Sequence, residues 1–430
     1  MSLKQRISKL NPVFVELLFY IFVAVFVFAK GALFAPDSYA FLAGDINRSP
    51  GYVLFLDGLQ LLFSNVGYPV IFIQLALNIL ALHLVCSYFC NLFKLNILYR
   101  LFILIILAAP LLHLHFIANF ILTEGICYPL FLIVCTYLLK AAHEKSELYL
   151  LKAFTITLLL MFFRGQFAFM LPVEIAVSLY VFSKTRNKKC LLAIALFVAT
   201  PWLHSFNTKT FHYFKHGHFV NTPFAAISFI TPSLYVSDKD DVTLFKTEEE
   251  QLFFSKVHFA LSENKMNYTS AENTVETSYF EHYKTNFVSI CNHTIHPIAM
   301  QMYADQGLSS NDQFIKANTL ASKMWWPLTK DNFSKWLRLY VQNVKAALGN
   351  SRILLLHFLL FACGFLLYKK KHKKLGLTAI ILFALVLSNV LATALATHSL
   401  KRYLFYGDWV IFVFIILLIS TLIRKGKENF

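Results

Sequence analysis

Two short polar motifs follow the first long apolar segment of this chain. The first is Pro36–Tyr39, which contains Asp37, and eleven residues after that acid comes Arg48, followed by Pro50-Gly51. A carboxylate beside a membrane surface can accept a proton from a hydroxyl group. An arginine can hold a phosphate with the planar fork of its guanidinium. The spacing predicts either a catalytic base beside a phosphate site, or a helix cap beside an interfacial arginine.

The composition places these motifs on a membrane protein. Hydrophobic residues make up 57% of the 430 residues, and charged residues only 14%. A soluble domain carries about 25% charged residues, so an all-α polytopic membrane protein is predicted. Ten segments of the chain are long and apolar enough to cross a membrane. They cover about residues 13–34, 67–92, 101–118, 121–139, 148–163, 166–183, 190–206, 352–368, 375–397 and 408–423.

The net charge of +16 follows the topology and does not indicate a nucleic-acid partner. If the amino terminus is cytoplasmic, 20 basic residues lie in or beside the cytoplasmic loops and 5 in the short outer loops. The positive-inside rule then places both termini in the cytoplasm, and no nucleic acid is expected to bind. The outer five are Lys30, Arg48, Arg164, Lys401 and Arg402.

Three parts follow from this topology. Residues 1–206 form an amino-terminal membrane module of seven spans, with an outer loop at 35–66 that carries the first two motifs. Residues 207–350 form a polar outer domain, and 351–430 form a membrane module of three spans. Since the outer domain shows no alternating period of strands, we expect it to be small and mostly helical.

The first outer loop is predicted to contain interfacial helices. The pair Asp37-Ser38 offers an N-cap for a short surface helix. The apolar stretch 52–63 is too short to span and is expected to lie at the interface. Three residues of the surface helix would face the bilayer: Tyr39, Phe41 and Leu42.

Helix boundaries in the outer domain are predicted from local signals. Thr247–Glu250 and Ser310–Gln313 each have the pattern of a capping box. Trp325–Pro327 is expected to end one element. Residues 332–348 are expected to form an amphipathic helix that leads into the next span.

Other polar residues at the outer ends of spans are candidates for one shared pocket. Glu124 opens the fourth span, where it would equally fit as a favourable acid at a helix N-terminus. Arg164 follows the fifth span. Arginines on the outer face run against the topogenic bias, so several that converge would form an anion-binding site. A further group precedes the last span: His398, Lys401, Arg402 and Tyr403.

Three further patterns are weaker indicators of chemistry. Glu174 lies within the sixth span, where an acid is either functional or bonded to a neighbouring helix. Asp238–Asp240 has the form of a nucleotide-sugar DxD motif, but without an αβ context it predicts a solvated loop. His293 and His296 lack a third ligand nearby in sequence, so no metal site is predicted.

Together these residues resemble a GT-C type membrane glycosyltransferase, a class that uses polyprenyl-phosphate sugars at the outer membrane face. Besides the first-loop acid and arginine, the resemblance rests on Thr123-Glu124, Arg164-Gly165 and Arg402-Tyr403. It covers roughly 10–206 and 350–425. Ser38 stands where many members have a second acid, which argues against a protein-mannosyltransferase-like type and against a metal requirement. The chain length and the modest outer domain are more like those of polysaccharide-modifying or O-antigen-modifying members.

The resemblance implies an inverting transfer of a hexose from a polyprenyl-phosphate donor to a periplasmic-side acceptor. That acceptor would be a surface glycan or a lipid-linked saccharide, at a bacterial inner membrane. No cofactor is implied, and the resemblance leaves open whether a divalent cation takes part. Asp37 would be the general base. The donor phosphate would bind Arg48, Arg164, Arg402 and Tyr403, in a pocket with Tyr39, Glu124, His398 and Lys401.

Two other functions fit the same residues. A surface polysaccharide polymerase or ligase would share the many spans and the outer domain, and it would depend on outer arginines more than on Asp37. A membrane transporter would centre on Glu174, with polar residues at the bilayer midplane. The absence of an obvious inverted repeat in the sequence disfavours the transporter.

Overall fold

The computed structural model describes residues 11–272, 278–370 and 372–428. Within these ranges the regular secondary structure is helical, apart from one isolated β-bridge between Leu33 and Phe120. Four basic residues on which the topology prediction relies lie outside the described residues: Lys4, Arg6, Lys9 and Lys371.

The first nine α-helices extend from Pro12 to His216 in the described part of the chain. A π-helical turn, Pro110–Leu114, extends the fifth helix, and a 3-10 turn, Gly165–Met170, precedes the eighth. The nine are α1 (Pro12–Lys30), α2 (Pro36–Ala43), α3 (Pro50–Gln60), α4 (Gly67–Phe93), α5 (Ile97–Ala109), α6 (Glu124–Glu144), α7 (Glu147–Phe163), α8 (Leu171–Thr185) and α9 (Lys189–His216).

The later helices form most of the polar domain and close the chain. They are α10 (Ala225–Val236), α11 (Glu248–Glu263), α12 (Tyr268–Glu272), α13 (Tyr279–Ile290), α14 (His296–Ala304), α15 (Ser310–Asp331), α16 (Phe333–Ala346), α17 (Ser351–Lys369), α18 (Lys373–Ala396), α19 (Lys401–Leu404) and α20 (Trp409–Glu428).

Among the described residues, eight helices are long and apolar enough to cross a membrane. Each coincides with a predicted span, so the chain is an all-α multi-pass membrane protein. The remaining two predicted spans are α5, with 13 residues, and α7, with 17 residues. The start of α5 packs against the carboxyl-terminal part of α4, where the Cys86 thiol donates to the Arg100 carbonyl at 3.5 Å. The number of ten spans stays a prediction.

The chain divides into two compact units. Unit 1 comprises 1–207, 355–389 and 405–430, and unit 2 comprises 208–354 and 390–404. The predicted boundary after 206 is one residue away from the observed one.

Residues 390–404, predicted to lie in the last membrane module, belong to unit 2 instead. The physical reason is the side chain of Asn343 on α16. Its Nδ2 donates to the carbonyl oxygens of Ala394 at 3.0 Å and Thr397 at 2.6 Å. Both hydrogen bonds lie within unit 2 and join the end of α18 to α16.

The central helix of unit 1 is α6. In its most apolar stretch of 18 residues, 89% of the residues are buried. The corresponding share is 17% for α1 and 17% for α17, so most of the apolar surface of these two helices is exposed. Because α1 buries so little surface, polar contacts matter for its attachment. Arg100 Nε on α5 lies 2.8 Å from Oε1 of the buried Glu16, and this ion pair joins α1 to α5.

Two glycines allow α17 and α18 to pack closely. A Cβ atom added at Gly376 would meet the backbone of Tyr368 and would lie 2.6 Å from the carbonyl oxygen of Gly364. We expect Gly376→Ala to lower the free energy of unfolding by about 1–3 kcal/mol, because the two helix backbones would have to separate. Thermal unfolding of the detergent-solubilised protein measures the effect.

Gly58→Ala is the matched control, because a Cβ atom added at Gly58 meets nothing within 4 Å. It should leave stability unchanged or raise it slightly, as alanine is the better helix former. Equal destabilisation by the two substitutions would contradict the close packing of α17 on α18.

Unit 2 is a mostly helical domain around an apolar core, as predicted for the described residues. The capping box at Thr247 and Glu250 opens α11 as expected. The second predicted box is displaced by one residue, because Ser309 is the N-cap and its Oγ accepts from the Asp312 amide at 3.2 Å. The predicted amphipathic helix is α16.

The prediction that Trp325–Pro327 ends an element is wrong, since α15 continues through Pro327 to Asp331. A proline inside a helix removes one backbone hydrogen bond. Met324 and Leu328, on either side of it, are fully buried in the core of unit 2. Burial of these two side chains offsets the loss and keeps the segment helical.

The residues of the DxD-like motif are exposed, as predicted, and the first of its acids contacts α16. Lys335 Nζ lies 2.6 Å from Asp238 Oδ2. Asn332 Nδ2 donates to Oδ2 of the neighbouring Asp241 at 2.7 Å. These contacts give Asp238 and Asp241 a structural role within unit 2.

Candidate functional site

The first outer loop folds into α2 and α3, which both begin with a proline. Pro36 and Pro50 occupy the first turn, where the missing N–H costs no hydrogen bond. Gly44 ends α2 in the left-handed conformation, at φ 67°, which glycine adopts without strain. The Arg48 amide then donates to the Asp45 carbonyl at 3.0 Å. This turn directs the start of α3 back toward α2.

The cap of α2 differs from the prediction. Ala35, not Asp37, is the N-cap residue, and its amide donates to Ser38 Oγ at 2.9 Å. The reason is Pro36, because its fixed φ suits the first helical position and so makes the preceding residue the N-cap. Asp37 therefore lies in the first turn of the helix.

Phe41 faces the interior of the loop, contrary to the prediction that it faces the bilayer. Its side chain is buried, and its ring centroid lies 5.1 Å from that of Tyr52 on α3. The guanidinium of Arg48 lies 5.4 Å from the same Phe41 centroid. Tyr39 is exposed and Leu42 is half-buried. Phe41 thus joins α2 to α3 and helps to position Arg48.

Asp37 and Arg48 form a half-exposed ion pair. Arg48 Nη1 lies 3.1 Å from Asp37 Oδ1, and the two side chains are 26% and 33% exposed, respectively. The Nε of Arg48 is buried and has no hydrogen-bond partner among the residues that the structure describes. A pair this exposed contributes at most about 1 kcal/mol, so a bound substrate can separate it at little cost.

Glu124 and Arg164 form a second, more deeply buried ion pair. Arg164 Nη1 lies 2.7 Å from Glu124 Oε1 and 3.1 Å from Thr123 Oγ1, and the two charged side chains are 13% and 5% exposed. Glu124 opens α6, and Arg164 directly follows the end of α7. An acid at a helix N-terminus and a cation at a C-terminus both interact favourably with the helix dipoles.

The first turn of α3 rests on the end of α7. A Cβ atom added at Gly51 would lie 2.9 Å from the carbonyl of Phe162 and from the amide of Phe163. Only glycine permits this approach. It places Gly51 against Phe163, the residue that precedes Arg164. Pro50-Gly51 is therefore a packing contact at the start of α3.

The segment before α6 pairs with the segment after α1. The Leu33 amide donates to the Asn119 carbonyl at 2.9 Å, and the Ile121 amide donates to the Leu33 carbonyl at 3.0 Å. Asn119 Nδ2 also donates to the carbonyls of Val27 and Gly31, both at 2.8 Å. The first loop, the start of α6 and the end of α7 thus meet at one end of unit 1, which we call the loop end.

A set of buried side-chain amides on α4, next to the loop end, was not predicted from the sequence. Gln74 Nε2 donates to the carbonyls of Ala118 and Phe120 at 3.1 Å, and Gln74 Oε1 accepts from Tyr52 at 3.2 Å. Asn78, one turn further along α4, donates to the Gly125 carbonyl at 2.8 Å. Two amides four residues apart in an apolar span are the signal that could have found this network.

Four of the predicted site residues lie in unit 2, not with Asp37 in unit 1: His398, Lys401, Arg402 and Tyr403. His398 is buried, and its ring centroid lies 4.3 Å from that of Phe287. Burial, with the nearby Lys284 ammonium, lowers the pKa of His398 to about 4. At neutral pH it is therefore an uncharged residue packed within unit 2.

Glu174 is fully buried in the first turn of α8. Thr157 Oγ1 on α7 donates to Glu174 Oε1 at 2.5 Å. The acid thus bonds a neighbouring helix, which is one of the two interpretations that its sequence position allows.

No family model, curated protein sequence or solved structure matches this chain. Its class is therefore defined by its own fold, that of an all-α multi-pass membrane protein. Its candidate site is a half-exposed pair, Asp37 and Arg48, beside a buried pair, Glu124 and Arg164.

Proposed function

We propose that the protein is a membrane glycosyltransferase that moves a hexose from a polyprenyl-phosphate donor to an acceptor hydroxyl. The observation that carries this proposal is the contrast between the two acid–arginine pairs. The side chain of Glu124 is 5% exposed and is bonded to Arg164. The side chain of Asp37 is 33% exposed, so of the two acids it is the one that a substrate hydroxyl can reach. The outer-face motifs, which resemble those of GT-C enzymes, support the same assignment.

In the proposed reaction, Arg48 exchanges Asp37 for the donor phosphate, so the cation stays paired throughout. The released carboxylate of Asp37 takes the proton of the acceptor hydroxyl. The acceptor oxygen forms a bond to the anomeric carbon as the bond from that carbon to the phosphate oxygen breaks, and the configuration inverts. Charge that develops on the leaving phosphate is stabilised by Arg48 more strongly in the transition state than in the ground state.

Arg164 has a positioning role in this mechanism. Its guanidinium is bound to Glu124 and Thr123, and its side chain is only 13% exposed. The pair fixes the end of α7, on which Gly51 and the start of α3 rest. Arg48 lies two residues before Pro50, the first residue of α3, so the buried pair supports the half-exposed one.

Donor binding by an Arg48→Gln variant tests the role of the half-exposed pair. A hydrogen bond between a charged group and its partner is worth about 1.5–3 kcal/mol, so the variant should bind a polyprenyl-phosphate hexose about 10–100-fold more weakly. Equilibrium binding of labelled donor to purified protein in nanodiscs measures the change. Arg352→Gln is the control, since it removes an exposed arginine in the first turn of α17.

Unchanged donor affinity in Arg48→Gln would remove Arg48 from the phosphate site. A polyprenyl diphosphate oligosaccharide is the competing ligand, because a polysaccharide polymerase or ligase would bind it in preference to the monophosphate hexose. If the protein bound that ligand and not the monophosphate hexose, the assignment as a polymerase or ligase would replace the assignment as a hexosyltransferase.

A further inference from the structure

Unit 1 contains a basic cavity far from the loop end. The cavity has a volume of about 610 Å³ and opens beside Phe93, at the opposite end of α4 from Gly67. Since α4 has 27 residues, about 40 Å of helix separates the two ends. Its polar lining comprises Lys94, His372, Lys373, Lys374, Thr421 and Arg424.

The charges of this cavity come from three helices. Lys94 is the C-cap of α4, Lys373 and Lys374 open α18, and Arg424 lies near the end of α20. No acid is among the described residues that line the cavity. Several cations held in one concave site create a positive potential that attracts an anion.

The start of α18 adds to this potential. The N-terminus of a helix carries a partial positive charge, so it is an unfavourable place for two lysines. The first turn of α18 contains no acid to offset them. The first amides of a helix also lack intrahelical partners. An anion at this position would therefore accept hydrogen bonds from lysine ammonium groups and from helix amides together.

We propose that this cavity binds the phosphate headgroup of an anionic phospholipid. Cations at the ends of membrane helices lie at the depth of the lipid headgroups, where basic pockets between helices select anionic lipids. Among the apolar lining residues, Phe93 and Leu375 are buried and Leu92 is half-buried. A lipid differs from a soluble phosphate in its acyl chains, and Leu92 is the apolar lining residue that these chains can contact. The proposal is independent of the proposed sugar transfer.

Basic residues at this position would also be expected without a lipid site, because the positive-inside rule alone places them at the cytoplasmic ends of spans. Lys188 and Lys189 provide the matched comparison. They form a lysine pair at the start of α9, as Lys373 and Lys374 do at the start of α18, but they do not line the cavity. Topogenic lysines and cavity lysines can thus be separated by experiment.

Lipid binding by the purified full-length protein tests the proposal. We expect native mass spectrometry to show that phosphatidylglycerol binds more tightly than phosphatidylcholine. The double variant Lys373→Gln/Lys374→Gln should bind phosphatidylglycerol about 30-fold more weakly, at about fivefold for each lysine near a charged lipid surface. Lys188→Gln/Lys189→Gln should stay within about twofold of the wild type.

Three results would overturn the assignment: equal losses in the two double variants, no preference for phosphatidylglycerol over phosphatidylcholine, or full displacement of the lipid by millimolar inorganic phosphate. The last result would mark a site for a soluble phosphate. If the Lys373/Lys374 variant fails to fold, Lys94→Gln takes its place, with an expected loss of about fivefold. Unchanged lipid affinity in a folded Lys94→Gln would equally overturn the assignment.

Discussion

Asp37→Asn is expected to lower the rate of hexose transfer by about 10²–10⁴ while donor binding is retained. Asparagine keeps the size of the side chain but cannot take the proton of the acceptor hydroxyl. The donor phosphate is assigned to Arg48, so its binding should not depend on the carboxylate. Initial rates of transfer in proteoliposomes, with donor affinity measured on the same samples, separate these two effects.

Asp45→Asn is the control for this variant. Asp45 lies in the same loop, its side chain is exposed, and the substitution is chemically identical. We expect near-wild-type transfer from it. Equal rates in Asp37→Asn and the wild type would remove Asp37 as the base and would direct attention to Glu124. Equal losses in the Asp37 and Asp45 variants would indicate damage to the loop instead of loss of a base.

Arg164→Gln is expected to lower the free energy of unfolding by about 3–5 kcal/mol. The reason is the Glu124 carboxylate, whose side chain is 5% exposed and which would be left buried without its cation. Breaking a buried ion pair from one side is costly because the remaining charge is neither paired nor hydrated. Chemical unfolding of the protein in detergent micelles, followed by intrinsic fluorescence, gives the change.

The half-exposed pair supplies the matched control for stability. Arg48→Gln breaks the Asp37 pair at 26% and 33% exposure, and it should cost at most about 1 kcal/mol. Glu124→Gln/Arg164→Gln should recover part of the loss, because both charges are then absent. Similar stabilities of Arg48→Gln and Arg164→Gln would contradict the structural role that we assign to the buried pair.

The membrane helices could be predicted from sequence because a single physical quantity defines them. A segment that crosses a bilayer must be apolar over about 20 residues, and the segment around α4 meets that condition without any tertiary information. Short elements in the polar regions depend on their packing partners instead. Pro327 was expected to end α15, but the burial of Met324 and Leu328 overrides the local signal.

Part of the candidate site follows from the sequence, but four of its nine predicted residues lie in unit 2: His398, Lys401, Arg402 and Tyr403. Alternation of the spans places the first loop, Glu124 and Arg164 on one face, and the structure brings those segments together at the loop end. The pairing of each arginine with one acid depends on how α2, α3 and α7 pack, which no local pattern encodes. For the same reason Phe41, an apolar residue on a short surface helix, was assigned to the bilayer although it packs on Tyr52.

Hexose transfer by the purified wild-type protein is the most direct test of the proposed function. Polyprenyl-phosphate hexoses would be supplied one at a time to proteoliposomes, with a glycan or lipid-linked saccharide as acceptor, and Asp37→Asn would be assayed beside the wild type. We predict transfer from one of these donors by the wild type and its loss in the variant. No transfer from any donor by protein that is folded, or equal transfer by the two proteins, would contradict the assignment of Asp37 as the base of a sugar transferase.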